Sequence, residues 1–67
     1  MNLKIEVERE EDGRWIAEVM ELPGCMAYGQ TKADALAKTK ALALRVLADR
    51  LENGEFVPAG DELFSVT

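Results

Sequence analysis

One continuous run, Asp12 to Leu36, constrains this chain more than any other part of it. It reads DGRWIAEVMELPGCMAYGQTKADAL. Gly13 supplies a turn. Arg14 to Met20 follows as an extended segment. Glu21-Leu22-Pro23-Gly24 then breaks it, because Pro cannot donate to a strand ladder and Gly tolerates a sharp bend. Cys25 to Gly29 reads as a short third strand, and Thr31 opens a helix. Such an order leaves room for little besides a small sheet with a helix laid on it.

The flanking segments complete that picture. Residues 2 to 9 alternate, with Leu3, Ile5 and Val7 on one side and Lys4, Glu6 and Glu8 on the other. Period two with one apolar face predicts a half-buried strand. Glu10-Glu11-Asp12-Gly13 is a turn, so the first two strands form an antiparallel hairpin. Beyond Thr31 helix formers dominate as far as about Asn53, with no internal Gly or Pro, and Gly54 is the stop. The Thr31 hydroxyl suits the open first turn, and Asp34 suits its positive end. In residues 55 to 67, Phe56, Val57, Leu63, Phe64 and Val66 are strand-like, and Pro58-Ala59-Gly60-Asp61 interrupts them. The expected order is β-β-β-α-β. This is an α+β fold: an antiparallel sheet with one helix packed on one face, a single domain over residues 1–67.

Apolar faces exceed what one helix and one sheet can cover. On the helix, Leu36, Ala43, Leu44, Leu47 and Leu51 make the expected main stripe. Ala35, Leu42 and Val46 form a second shoulder that needs other cover, so apolar residues span roughly 240° of the circumference. On the second strand Trp15, Ala17 and Val19 share one side, while Ile16, Glu18 and Met20 share the other. In the third strand Met26 and Tyr28 oppose Cys25 and Ala27. At 67 residues a domain buries only ~60% of its unfolded surface. Spare apolar surface of this kind predicts contact with another chain, a homo-oligomer such as a dimer or tetramer. The final residues, Glu62 to Val66, are a candidate for edge-to-edge pairing with a copy.

Charge and composition narrow the function classes. The net charge is −5, from 13 acidic and 8 basic residues. Phosphate backbones repel that balance, so direct DNA binding is not expected, and a basic protein is the natural complement. No apolar run reaches the ~20 residues of a membrane helix. The single Cys25 forbids an internal disulfide, which fits a reducing cytoplasm. There is no histidine, so the commonest general base and metal ligand are missing. Glu18 and Glu21 are the best-placed carboxylates, but a hydrolytic pair needs a cleft that so short a chain can hardly build. Cys25 lacks an activating base and reads as core. No cofactor, metal site or catalytic residue is expected.

The residues Asp12-Gly13-Arg14-Trp15-Ile16-Ala17-Glu18-Val19, then Glu21-Leu22-Pro23-Gly24-Cys25, then Gly29-Gln30-Thr31-Lys32-Ala33-Asp34-Ala35-Leu36 resemble the HicB family of antitoxins. That family shows a Gly hairpin tip, an aromatic, a strand into Pro-Glu-Leu-Pro-Gly-Cys, and Gly-x-Thr-x-x-Glu-Ala at the helix start. Here Met20 stands in place of the family's Pro and Asp34 in place of its Glu. The resemblance implies a degraded ribonuclease-H-like fold and a non-enzymatic, oligomeric antitoxin of a type II toxin–antitoxin system. It implies a partner too, a small basic toxin ribonuclease of the HicA type. Typical members carry a C-terminal DNA-binding domain. Through Thr67 this sequence shows no second helical pattern, so it looks like a solitary HicB-like domain of the UPF0150 type. The expected partner surface comprises Glu10, Glu11, Asp12, Trp15, Glu18 and Tyr28. A competing reading is a stand-alone oligomeric domain that binds a small molecule or RNA.

Overall fold

The computed structural model describes residues 2–54 and 64–66, and its elements follow the expected order. Strand β1 spans Leu3–Arg9, β2 Trp15–Val19, β3 Met26–Gly29 and β4 Phe64–Val66; helix α1 spans Lys32–Glu52. The architecture is α+β, one four-stranded sheet in the order β3-β2-β1-β4 with one helix against it. Antiparallel pairing holds β1, β2 and β3 together, whereas β4 runs parallel to β1, so the sheet is mixed. Helix α1 lies in the connection from β3 to β4, strands at opposite edges of the sheet that run the same way, as a crossover connection allows. Of the final segment, Phe64 and Val66 lie in edge strand β4. Phe56, Val57, the Pro58–Asp61 turn, Glu62 and Leu63 lie outside the described residues.

The hairpin is closed by backbone bonds from Glu10 N–H to the Arg14 carbonyl (2.7 Å) and from Gly13 N–H to the Glu10 carbonyl (3.0 Å). Gly13 has φ +93°, a left-handed conformation that side chains disfavour. Its register sets Ile5 opposite Val19, Glu6 opposite Glu18, Val7 opposite Ala17 and Glu8 opposite Ile16. Period-two alternation then sends Leu3, Ile5, Ala17 and Val19 toward α1, and all are fully buried. Leu22 and Cys25, from the Leu-Pro-Gly-Cys corner, are buried with them. The corner is therefore part of the core as well as a turn.

Helix α1 begins where expected. The Thr31 hydroxyl accepts the Asp34 N–H at 3.0 Å, and the Asp34 carboxylate accepts the Gln30 N–H at 3.2 Å. These two bonds satisfy donors that a helix start leaves open. The rotation of the helix differs from the expected one. Ala35, Thr39, Ala43 and Leu47 are the buried positions, with Leu36, Leu42 and Val46 packed beside them. Leu44 and Leu51, assigned to the main stripe, are 50% and 62% exposed. The supposed second shoulder of Ala35, Leu42 and Val46 belongs to the core. The reason lies at Gly29, where a Cβ would collide with the Ala35 backbone N and sit 2.9 Å from its Cα. Helix and sheet approach too closely there for large side chains, so the small residues of α1 face the sheet and two leucines turn outward.

Thr39 is the fully buried polar residue of this stripe. Its hydroxyl donates to the Ala17 carbonyl at 3.1 Å, which offsets the cost of burying it. The Cys25 thiol lies 3.8 Å from the Thr39 carbonyl, and burial pushes its pKa up. The thiol packs in the core between the sheet and α1.

Candidate partner-binding face

Helix α1 covers one side of the sheet, and among the described residues nothing covers the other. Alternation places Lys4, Glu6 and Glu8 of β1, Ile16 and Glu18 of β2, and Met26 and Tyr28 of β3 on it. Ile16 is cross-strand neighbour to Tyr28, and Glu18 to Met26. Met20, just past β2, is 46% exposed and stays tied to β1 by its N–H to the Lys4 carbonyl at 2.9 Å. Glu6, Glu8, Glu10, Ile16 and Glu18 line a concavity of about 390 Å³.

At the hairpin end of the sheet Arg14 organises a second cluster. Its Nε donates to Asp12 Oδ2 at 2.7 Å, and its backbone N–H donates to Oδ1 at 3.0 Å. Its guanidinium carbon sits 4.5 Å from the Tyr28 ring centroid, a cation–π distance. The Arg14 N–H and then the guanidinium hold the Asp12 carboxyl below its ordinary value. Glu10 and Glu11 line a second hollow together with Asp12, Arg14 and Tyr28.

The six positions expected to meet a partner therefore divide. Glu10, Glu11, Asp12 and Tyr28 gather around Arg14, and Glu18 lies on the open face beside Glu6. Trp15 points the other way, half-buried against the core beside α1. Glu6, Glu8 and Arg14 were not among the expected positions. Glu6 and Glu8 were legible as the polar side of the first strand, and the hairpin register puts them next to Glu18. Of the two carboxylates weighed as an acid/base pair, Glu18 is on this face and Glu21 is not beside it. Glu21 instead accepts the Lys4 N–H at 2.8 Å. Among the described residues no group of three or more His, Cys, Asp or Glu is placed to hold a metal ion. No helix among them is long and apolar enough to cross a membrane.

No family model matches the chain, and no solved structure does. It is similar to the UPF0150 protein Ta0767 of Thermoplasma acidophilum, with 29% identity over 58 residues. The matched stretch is 87% of this chain and 84% of that protein. The chain thus has a distant relative in a family associated with HicB-like proteins.

Proposed function

We propose that this chain is a non-catalytic, protein-binding domain, a HicB-like antitoxin that neutralises a small basic toxin ribonuclease of the HicA type. The observation that carries the reading is an acidic surface on which Glu6, Glu8, Glu10, Glu11, Asp12 and Glu18 outnumber the cations Lys4 and Arg14. Among the described residues the ion pairs are Arg14 with Asp12 and Lys38 with Asp34. Neither neutralises Glu6, Glu8, Glu10, Glu11 or Glu18. Such a surface attracts and orients a basic partner. The likeness to a UPF0150 protein and the Asp12–Leu36 motif agree with it. The domain acts in the cytoplasm and as a homo-oligomer, whose contact uses the outward Leu44 and Leu51 of α1.

The test is co-expression with a short basic protein encoded beside this chain. Capture of that protein, and rescue of cells from its toxicity, is the expected result. A neighbour that is neither bound nor neutralised removes the antitoxin reading.

A further inference from the structure

The sheet face turned away from α1 holds a like-charge pair that folding does not require. The hairpin register sets Glu6 directly opposite Glu18, with Glu8 one pair further along the same face. Like charges directly opposite on adjacent strands destabilise a sheet. Among the described residues no ion pair involves them, since the side-chain ion pairs lie at Asp12 and Asp34; Lys4, two residues before Glu6 on the same side of β1, is the one cation of that strand on this face. Apolar surface is interleaved with these carboxylates, since Ile16 is opposite Glu8, Met26 is opposite Glu18, and Tyr28 is opposite Ile16. Met26 is 40% and Tyr28 44% exposed. Five of the eight basic residues, Lys32, Lys38, Lys40, Arg45 and Arg50, belong to α1, on the opposite side of the sheet, while Lys4 lies on the open face and Arg14 covers the Tyr28 ring at its end.

We infer that the open sheet face, centred on the Glu6–Glu18 pair, docks a basic protein segment. Its guanidinium or ammonium groups would seat between the carboxylates and its aliphatic stems on Ile16, Met26 and Tyr28. The inference rests on the reading that this domain binds a basic protein. It moves the centre of recognition from the hairpin tip and Trp15 to the sheet. A cation seated between Glu6 and Glu18 gains two charge-assisted contacts and removes their mutual repulsion on binding. Nucleic acid is disfavoured by the sign of the same charges.

The test titrates the isotopically labelled chain with an oligo-arginine peptide, and an oligo-glutamate peptide serves as control. The expected result is amide shifts at Glu6, Glu8, Ile16, Glu18, Met26 and Tyr28 with oligo-arginine alone. E6Q/E18Q is expected to weaken binding about tenfold or more, and E10Q/E11Q by about twofold or less. Melting of the free chain supplies a second readout, because E6Q/E18Q is expected to raise the melting temperature while lowering affinity. Shifts confined to Glu10–Asp12 or to α1 would overturn the inference, as would equal losses in the two variants. It is also overturned if E6Q/E18Q dissociates copies of the chain, which would make the face a self-contact. Capture of the basic neighbour with E6Q/E18Q unaffected sinks this inference and leaves the antitoxin reading standing. No captured neighbour, with the peptide mapped to the face, does the reverse.

Discussion

Gly29 ends β3 at the point where α1 comes nearest the sheet. Its φ is not in the left-handed region, so its requirement is space rather than backbone freedom. Any Cβ there meets the Ala35 backbone, which cannot swing aside as a flexible side chain would. Gly29→Ala is therefore expected to lower stability by ~1–3 kcal/mol, read as a drop in the denaturant midpoint. An unchanged midpoint would mean that α1 does not lie this close. From the sequence Gly29 reads as a strand-end glycine. The close approach was not legible, because it depends on a helix that starts only after β3 ends. Thr39 is a similar case: a polar residue in an apolar stripe has no sequence signal that it will find the Ala17 carbonyl.

Helix α1 shows what local signals can and cannot set. Its start at Thr31 and stop at Asn53-Gly54 follow from caps written into the chain. Asp34 ties the first turn together, accepting from Lys38 Nζ at 3.1 Å and from the Gln30 N–H. Lys38 first, then the Gln30 N–H, lowers the Asp34 pKa below its ordinary 3.8. The sign follows from linkage. A carboxyl whose folded pKa is depressed stabilises the fold at pH above its unfolded value, and that contribution fades as pH falls through the folded one. The melting-temperature gap between the native chain and Asp34→Asn is thus expected near neutrality and should close as pH falls below the ordinary carboxylate value and through the lowered folded one. A gap that persists in acid would assign the role to something other than the charged carboxylate. The helix's rotation, by contrast, was misjudged from its pattern. With apolar residues around most of the circumference, several faces could pack, and the close approach at Gly29 selects the one with small residues.

At the scale of the whole molecule, the single sheet–helix layer of the described residues leaves two surfaces that none of those residues covers. One is the acidic sheet face. The other is the outer side of α1, where Leu44 and Leu51 stand 50% and 62% exposed. For a chain this small, burial between copies is an accessible source of stability. The native chain is expected to give a light-scattering mass above that of one 7.4 kDa protomer. Leu44→Glu with Leu51→Glu is expected to return it to one protomer. A native mass of one protomer, or an unchanged mass in the double variant, would exclude this helix surface as the contact between copies.

The order and type of the elements, the hairpin turn and both helix caps were determined by the sequence itself. Each depends on residues close together in the chain: alternation in Leu3–Arg9, the turn at Gly13, Thr31 with Asp34, and Gly54. The two faces of the sheet were legible for the same reason, since period two assigns them without knowing what covers either. Tertiary structure decided which face α1 covers and with which of its own sides. It also placed β4 beside and parallel to β1, sent Trp15 inward, and set Glu6 against Glu18. Those outcomes depend on contacts between residues distant in sequence. There, steric fit at one close approach and pairing register outweigh the averaged hydrophobic pattern that a single segment carries.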